Sequence, residues 1–329
     1  MGTVSTTAGP ARSATRTQVL LRRLRNGDEI AHLVTMIFAA SILLVTATLV
    51  YELWKHSALS RTTFGWSFFV TSTWDPVFNR FGAWPYIYGT LVTTAVALII
   101  AVPLGLGAAI FLSELAPPKV SSVLSFVIDL LAAVPSVIYG LLAIFTLVPL
   151  MRTTIEPFLK LRLGFLPLFK GPAYGIGFLT AGIVLAIMVV PFIISVSREV
   201  LMAVPQDQRE ASLGLGATRW ETTFKVVVNY ARTGILGSVF LSMARALGET
   251  MAVTMVIGNV SKVSTSLLSP GYSIAAVIAN EFADATSSLH LSSLIELGLV
   301  LFLLTFILNG LARLMIVATS RRGAGVANT

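Results

Sequence analysis

Cysteine is absent from the 329-residue chain, and histidine occurs only at His32, His56 and His290. Disulfide frameworks, thiolate zinc sites and cysteine nucleophiles are thereby excluded, and three widely separated imidazoles do not suggest a metal cluster. Charge is scarce as well, at 12% of the chain against roughly 25% in a soluble domain. No Gly-x-x-x-x-Gly-Lys-Ser/Thr phosphate loop occurs, so the chain is not expected to hydrolyse ATP itself. No serine-histidine or paired-aspartate set points to an intramembrane protease, and the expectation is a non-enzyme with no cofactor or metal. The formal net charge of +8 comes from basic residues scattered between apolar runs. They form no continuous basic face with stacking aromatics, so nucleic acid is not an expected partner.

What the chain has in quantity is apolar sequence: 55% of residues and a mean hydropathy of +0.85. Its apolar runs reach the roughly 20 residues that a helix needs to cross a hydrocarbon core of about 30 Å. The expected fold is an all-α polytopic membrane protein surrounded by lipid, with a transmembrane domain over 31–318. Six spans fall at about 31–54, 86–113, 121–150, 174–198, 233–259 and 291–318. Residues 1–30 read as a polar tail leading into a short amphipathic segment at 20–30, and 319–329 as a second tail. The first run is longer than a signal-peptide core and has no small-residue cleavage site, so it is expected to stay as a helix.

Lys and Arg in the connections set the orientation. With the N-terminus inside, the inner segments carry Arg12, Arg16, Arg22, Arg23, Arg25, Lys119, Arg198, Arg209, Arg219, Lys225, Arg232, Arg313, Arg321 and Arg322. The outer segments carry fewer: Lys55, Arg61, Arg80, Arg152, Lys160, Arg162, Lys170 and Lys262. Both termini are therefore expected in the cytoplasm. Trp54, Trp66, Trp74, Trp84, Tyr86 and Tyr88 gather near the first outer loop, where amphipathic rings favour the interface. Pro103, Pro135 and Pro191 interrupt three spans, each freeing a carbonyl that a neighbour or cavity water must satisfy. That pattern fits either kinked packing or a translocation cavity.

The inner connection at 199–232 contains the run from Pro205 to Glu221, which is polar but patterned. Pro205 suits a first helical turn, Asp207 and Glu210 suit a helix N-terminus, and Gly214 and Gly216 permit a turn before a second helical piece. The expected product is a compact cytoplasmic knob, able to enter a groove on a partner or to lie on the membrane surface.

Glu210, Ala211, Ser212 and Gly216 match the Glu-Ala-Ala, three residues, Gly pattern of the permease subunits of bacterial ABC importers, which this stretch resembles. Ser212 stands for the usual second alanine, and Asn229 falls where many members have proline. Tyr88-Gly89-Thr90, Ser113-Glu114-Leu115-Ala116-Pro117 and the run from Leu130 to Gly140 resemble the phosphate-specific, PstC-type members. So do the segments from Gly171 to Gly177, from Arg245 to Thr254 and from Ala279 to Ala285. The resemblance covers about 80–315. It implies six helices with a cytoplasmic coupling helix, in a permease that moves phosphate across the bacterial inner membrane. It also implies as partners a second permease of PstA type, two ATP-binding subunits of PstB type and an outer phosphate-binding protein of PstS type. The competing reading is an ion-coupled secondary transporter of a small anion, which would need its own coupling-ion carboxylates.

Two charges, Arg245 and Glu249, lie in the fifth apolar run among Ala244, Ala246, Gly248 and Ala252. An isolated charge at mid-membrane costs roughly 2.5 to 3.5 kcal/mol on insertion scales, so both should face protein or water. On a continuous helix they would share one face about 6 Å apart along the axis and could pair. Such a pair could line an anion path, with Glu249 holding Arg245 between transport events and accepting a hydrogen bond from a protonated phosphate, or it could simply neutralise itself or anchor a partner helix. Asp129 is placed near the inner interface, Glu281 and Asp284 on a piece that is re-entrant or on the outer surface, and Glu296 at the outer interface.

Overall fold

The computed structural model describes residues 28–324. The expectations for 1–27, including most of the amphipathic segment, and for the last five residues lie outside that range. Six helices are long and apolar enough to cross a membrane: Ala31–His56, Trp84–Leu115, Ser136–Leu163, Phe178–Met202, Arg219–Leu247 and Ser288–Met315. Among the described residues there is no strand, only isolated bridges pairing Asp75 with Arg80 and Gly258 with Gly271.

The chain divides into two units between Lys55 and His56. The first holds helix α1 (Asp28–His56). Its 26-residue apolar stretch from Ala31 extends about 39 Å at 1.5 Å per residue, which exceeds the hydrocarbon thickness. The hydroxyls of Thr35, Thr46 and Thr48 donate to carbonyls four residues back at 2.8 to 2.9 Å, so these polar groups are satisfied within the helix.

In the second unit, α2 (Ala58–Phe64) precedes the outer loop, and α3 (Trp84–Ile110) carries Pro85 in its first turn, where its missing N–H leaves no bond unmade. A π turn over Phe111–Leu115 extends α3 at its C-terminal end. The expected third span at 121–150 proves to be two helices. Pro135 lacks an N–H and disfavours helical backbone at Val134. Helix α4 (Pro118–Ala132) therefore ends, with Ala133 N donating to Asp129 O and Leu130 O at 3.2 Å, and α5 (Ser136–Leu142) starts afresh. Tyr139 Oη donates to Leu131 O at 2.7 Å, adding to the 3.2 Å bond from Val134 N at the carbonyl that Pro135 cannot serve. The crossing segment is thus Ser136–Leu163, later than expected. Pro103 and Pro191 behave otherwise, lying inside unbroken helices that pack on each other, α3 and α6 (Phe178–Met202).

After α6 come the short helix α7 (Gln206–Gly214) and α8 (Val228–Leu247), the latter completing the fifth span, Arg219–Leu247. This span also departs from its expected range of 233–259. It starts earlier because Thr218 and Glu221 form a reciprocal capping box, Glu221 N donating to Thr218 Oγ1 at 3.2 Å and Thr218 N to Glu221 Oε2 at 3.0 Å. It stops at Gly248, and the chain resumes as α9 (Met251–Val256).

Helix α10 (Ile274–Glu281) is buried through its first half and exposed at Ala279 and Asn280. Ile274, Ala275, Ala276 and Val277 are buried, and Ile274 N donates to Thr90 Oγ1 of α3 at 3.0 Å. The last helix, α11 (Ser288–Ala324), holds α2 through small polar groups. Ser60 N donates to Ser292 Oγ at 3.1 Å, and the hydroxyls of Ser60 and Ser293 lie 3.0 Å apart. Glu296, expected at the interface, is buried one turn further along this seam, where its carboxylate meets Ser60.

Candidate functional site

The projection that follows α6 is held in place by an ion pair between residues 95 positions apart. Arg209 of α7 donates from Nε to Glu114 Oε2 at 3.3 Å and from Nη2 to Glu114 Oε1 at 2.9 Å. The same guanidinium donates from Nη2 to Leu201 O at 2.9 Å and from Nη1 to Val204 O. A planar fork can serve two carboxylate oxygens and two carbonyls together, which a lysine ammonium cannot do in this geometry. The side chains are only 15% and 9% exposed. The pair therefore ties α7 to the C-terminal ends of both α3 and α6.

Pro205 stands at the N-cap of α7, one position before the expected first turn. At the other end, Gly216 N donates to Leu213 O at 2.9 Å and Ala217 N to Ser212 O at 3.2 Å, the two bonds of a Schellman stop. That motif requires the left-handed backbone seen at Gly216, whose φ is +88°. Ser212 Oγ lies 2.9 Å from Thr222 Oγ1, fastening α7 to the base of the fifth span. Glu210 and Ala211 point to solvent beside the exposed Leu213, Leu215, Trp220 and Phe224. The rings of Trp220 and Phe224 pack at 4.3 Å. The four residues singled out in the sequence thus belong to one small projection, with an acidic and apolar outer side.

The mid-membrane charges are arranged differently from the expectation. Arg245 and Glu249 are not on one helix face, because α8 ends between them at Gly248, and among the described residues no ion pair joins them. Arg245 occupies the last turn of α8, where a cation complements the helix dipole. Its guanidinium lies over the ring of Phe192 in α6, 5.5 Å from the centroid. Glu249 instead precedes α9 and accepts from Ala252 N at 3.2 Å through Oε1, capping that helix. The i, i+4 pairing is withdrawn on this geometry.

Two broken helices meet at this level. Helix α5, opened by Pro135, packs on α9, opened by the Gly248 break. A Cβ at Gly140 would sit 2.6 Å from Met255 Sδ and 3.0 Å from Ala252 Cα, so the absent side chain is what permits their contact. Tyr139 on α5 lies within reach of the Arg245 charge. Arg245 is itself exposed in the single chain while placed beside Phe192, in the middle of the fourth span. A guanidinium at that depth needs a water-filled cavity or a protein partner, and paired helix breaks are a known way of building one.

Three features escaped sequence reasoning. The pair of Glu114 and Arg209 left only the weak signal of opposite charges in two inner connections. Asp129 accepts from Ser195 Oγ of α6 at 3.0 Å. At the opposite end of the bundle from α7, Glu281 Oε2 accepts from Trp74 Nε1 at 2.8 Å and lies 3.1 Å from His290 Nε2, which joins α10, α11 and the loop before α3.

Comparison with known proteins bears on this arrangement. Residues 101–319 match the family described as "Binding-protein-dependent transport system inner membrane component". The chain is similar to the "Phosphate transport system permease protein PstC" of Mesorhizobium japonicum, 44% identical over 306 residues that cover 92% of this chain and 94% of the relative. It is 50% identical to the protein of the same description from Xylella fastidiosa strain Temecula1, over 262 residues covering 78% and 81%. Among solved structures, a chain of a bacterial ABC transporter involved in the import of the acidic polysaccharide alginate superposes with a TM-score of 0.55 at 15% identity. That alignment covers 90% of this chain and 98% of the other, and it shows a shared fold.

Proposed function

The chain belongs to the family of binding-protein-dependent transport system inner membrane components, and from that membership we propose that it is the permease subunit of an ATP-driven importer carrying inorganic phosphate across the bacterial inner membrane. The observation that carries the reading is near-full-length similarity to phosphate permeases in a chain whose inner face presents a rigidly mounted α7. The chain is a multi-pass membrane protein, and its relatives are transport subunits rather than enzymes.

In this reading the transmembrane domain at 31–318, with 1–30 and 319–329 as cytoplasmic tails, works beside a second permease of PstA type. Two ATP-binding subunits of PstB type dock at Glu210, Ala211, Ser212 and Gly216, and a phosphate-binding protein of PstS type delivers cargo from outside. Movement of the ATP-binding subunits reaches the bundle through Arg209, because its fork holds α7 to Glu114 and to the carbonyls of α6 as one body.

Arg245 is the cation that receives phosphate in the membrane. Phosphate leaving water needs charge and donors in return, and the guanidinium offers two parallel N–H groups. Glu249, at the N-terminus of α9, accepts a hydrogen bond from a protonated phosphate oxygen, while sulfate at neutral pH carries no such proton and meets repulsion. The experiment is uptake of labelled phosphate into proteoliposomes holding the assembled importer. Uptake that continues with ion gradients collapsed and stops without ATP is the expected result, whereas uptake driven by a gradient without ATP would establish a secondary transporter.

A further inference from the structure

Between the inner end of α3, the helix α4 and the last turns of α6 lies a pocket of about 540 Å³ that none of the roles above uses. Its polar lining comes mainly from Arg198, Asp129 and three serines, Ser121, Ser122 and Ser125. Two donors there are buried without a partner, Arg198 Nε and Ser125 Oγ. Buried donors are nearly always satisfied; both atoms are closed to solvent, so they lie within the cavity wall and reach a bound acceptor only when their side chains turn toward it. Arg198 has little else to bind, since Nη2 makes only a long 3.5 Å contact to Ser121 Oγ, which itself donates to Leu112 O at 2.8 Å. Asp129 spends one oxygen on Ser195 Oγ, and its other oxygen has no partner among the described residues.

We propose that this pocket is a second phosphate-group site, on the cytoplasmic side of Arg245. The inference rests on the importer reading for its cargo. The donors suit a tetrahedral oxyanion, with Arg198 supplying the charge and the serine hydroxyls further bonds. The free oxygen of Asp129 suits a proton on the same ligand, either the P–OH of hydrogen phosphate or the ammonium of a phosphoethanolamine headgroup. Sulfate at neutral pH offers no proton and is disfavoured by the carboxylate.

Both cations are placed against the same helix, at different levels. Helix α6 carries Phe192 beneath Arg245, Ser195 bonded to Asp129, and Arg198 on successive turns. From Phe192 to Arg198 the rise is about 9 Å.

Because the chain has no cysteine, a single Ser122→Cys substitution at the exposed rim can be alkylated selectively and read by the mass of this chain. The assembled importer is placed in lipid discs made either of a phosphorus-free glycolipid or of a phosphoethanolamine lipid, and alkylation rates are compared with inorganic phosphate, with sulfate and with neither. At about ten times its Kd a ligand leaves about a tenth of sites empty, so phosphate should slow alkylation about tenfold in glycolipid discs, and sulfate should slow it far less. Slowing confined to the phosphoethanolamine discs and indifferent to added phosphate identifies a lipid headgroup as the occupant of the same site. Either protection must disappear when Arg198→Ala is combined with the probe. If that variant does not assemble, Ser125→Ala, which removes one hydroxyl, must weaken the protection. Equal rates under all conditions, or protection that survives these substitutions, overturn the proposal. ATP-driven uptake by the unsubstituted complex is measured in parallel: uptake without protection discards the pocket alone, and protection without ATP-dependent uptake discards the importer reading alone.

Discussion

Replacing Arg209 with alanine tests the mounting of the knob most directly. The substitution removes the cation facing Glu114, a side chain only 9% exposed, and strips partners from Leu201 O and Val204 O. Breaking a buried ion pair from one side costs about 3 to 5 kcal/mol. Water at the inner interface favours the lower figure, because Arg209 itself is 15% exposed. A loss of about 3 kcal/mol is a shift of more than 10²-fold in the balance between seated and unseated α7. Hydrogen exchange read on peptides covering α7 reports that balance, since local opening sets the exchange of its amides. The expected result is exchange about 10²-fold faster in Arg209→Ala, with peptides from α3 and α6 little changed. Glu114→Gln keeps the shape and both carbonyl contacts while losing charge assistance, so it should raise exchange by only about tenfold, for a loss near 1.5 kcal/mol. If α7 exchanged at the unsubstituted rate in Arg209→Ala, the pair would not be what seats the knob, and the coupling route through it would fall.

Further outcomes follow from the same geometry. Gly216→Ala meets open space but must hold a left-handed backbone, so it should weaken ATPase-subunit binding by about 1 kcal/mol, with Gly216→Asn recovering part of the loss. Glu210→Lys reverses a charge on the exposed side of α7 and should lower ATPase association, measured by co-purification, without affecting membrane insertion. Arg245→Ala should abolish phosphate uptake with the complex assembled, and Arg245→Lys should restore little because an ammonium lacks the fork; normal uptake by the alanine variant would remove Arg245 from the path. Glu249→Gln keeps an acceptor for Ala252 N and should leave assembly intact, yet lower phosphate uptake and narrow discrimination against sulfate when assayed without the outer receptor. Unchanged discrimination would leave Glu249 as a helix cap only.

The resemblance to a permease was carried by short motifs that keep their meaning locally. The run from Glu210 to Gly216 encodes a helix and its stop within a few residues, because the Schellman bonds at Gly216 and Ala217 close on Leu213 and Ser212. Hydropathy likewise gave the number of crossing-length helices, since residence in lipid demands an apolar run wherever the chain turns up. The span limits were less legible. The chain reads Pro103, Pro135 and Pro191 alike, but only Pro135 ends a helix, since the other two lie in helices that pack closely along their length. The fifth span began in polar sequence that hydropathy could not count, with Thr218 and Glu221 capping a helix that starts before the apolar run.

By itself, then, the sequence determined the membrane class, the number of crossings, the position of the knob and the residue types set at mid-membrane. All of these depend on composition or on neighbours within a turn or two. Only the tertiary structure decided what those residues touch. Helical spacing offers Glu249 as a possible partner for Arg245, but the break at Gly248 sends each charge to a different helix end and leaves the guanidinium on Phe192. Glu114 was one residue in a motif until packing brought it to Arg209, and Asp129 was an isolated acid until α6 placed Ser195 against it. Contacts between residues 66 or 95 positions apart leave no local pattern to read, because they are set by where whole helices end and how they lie on one another.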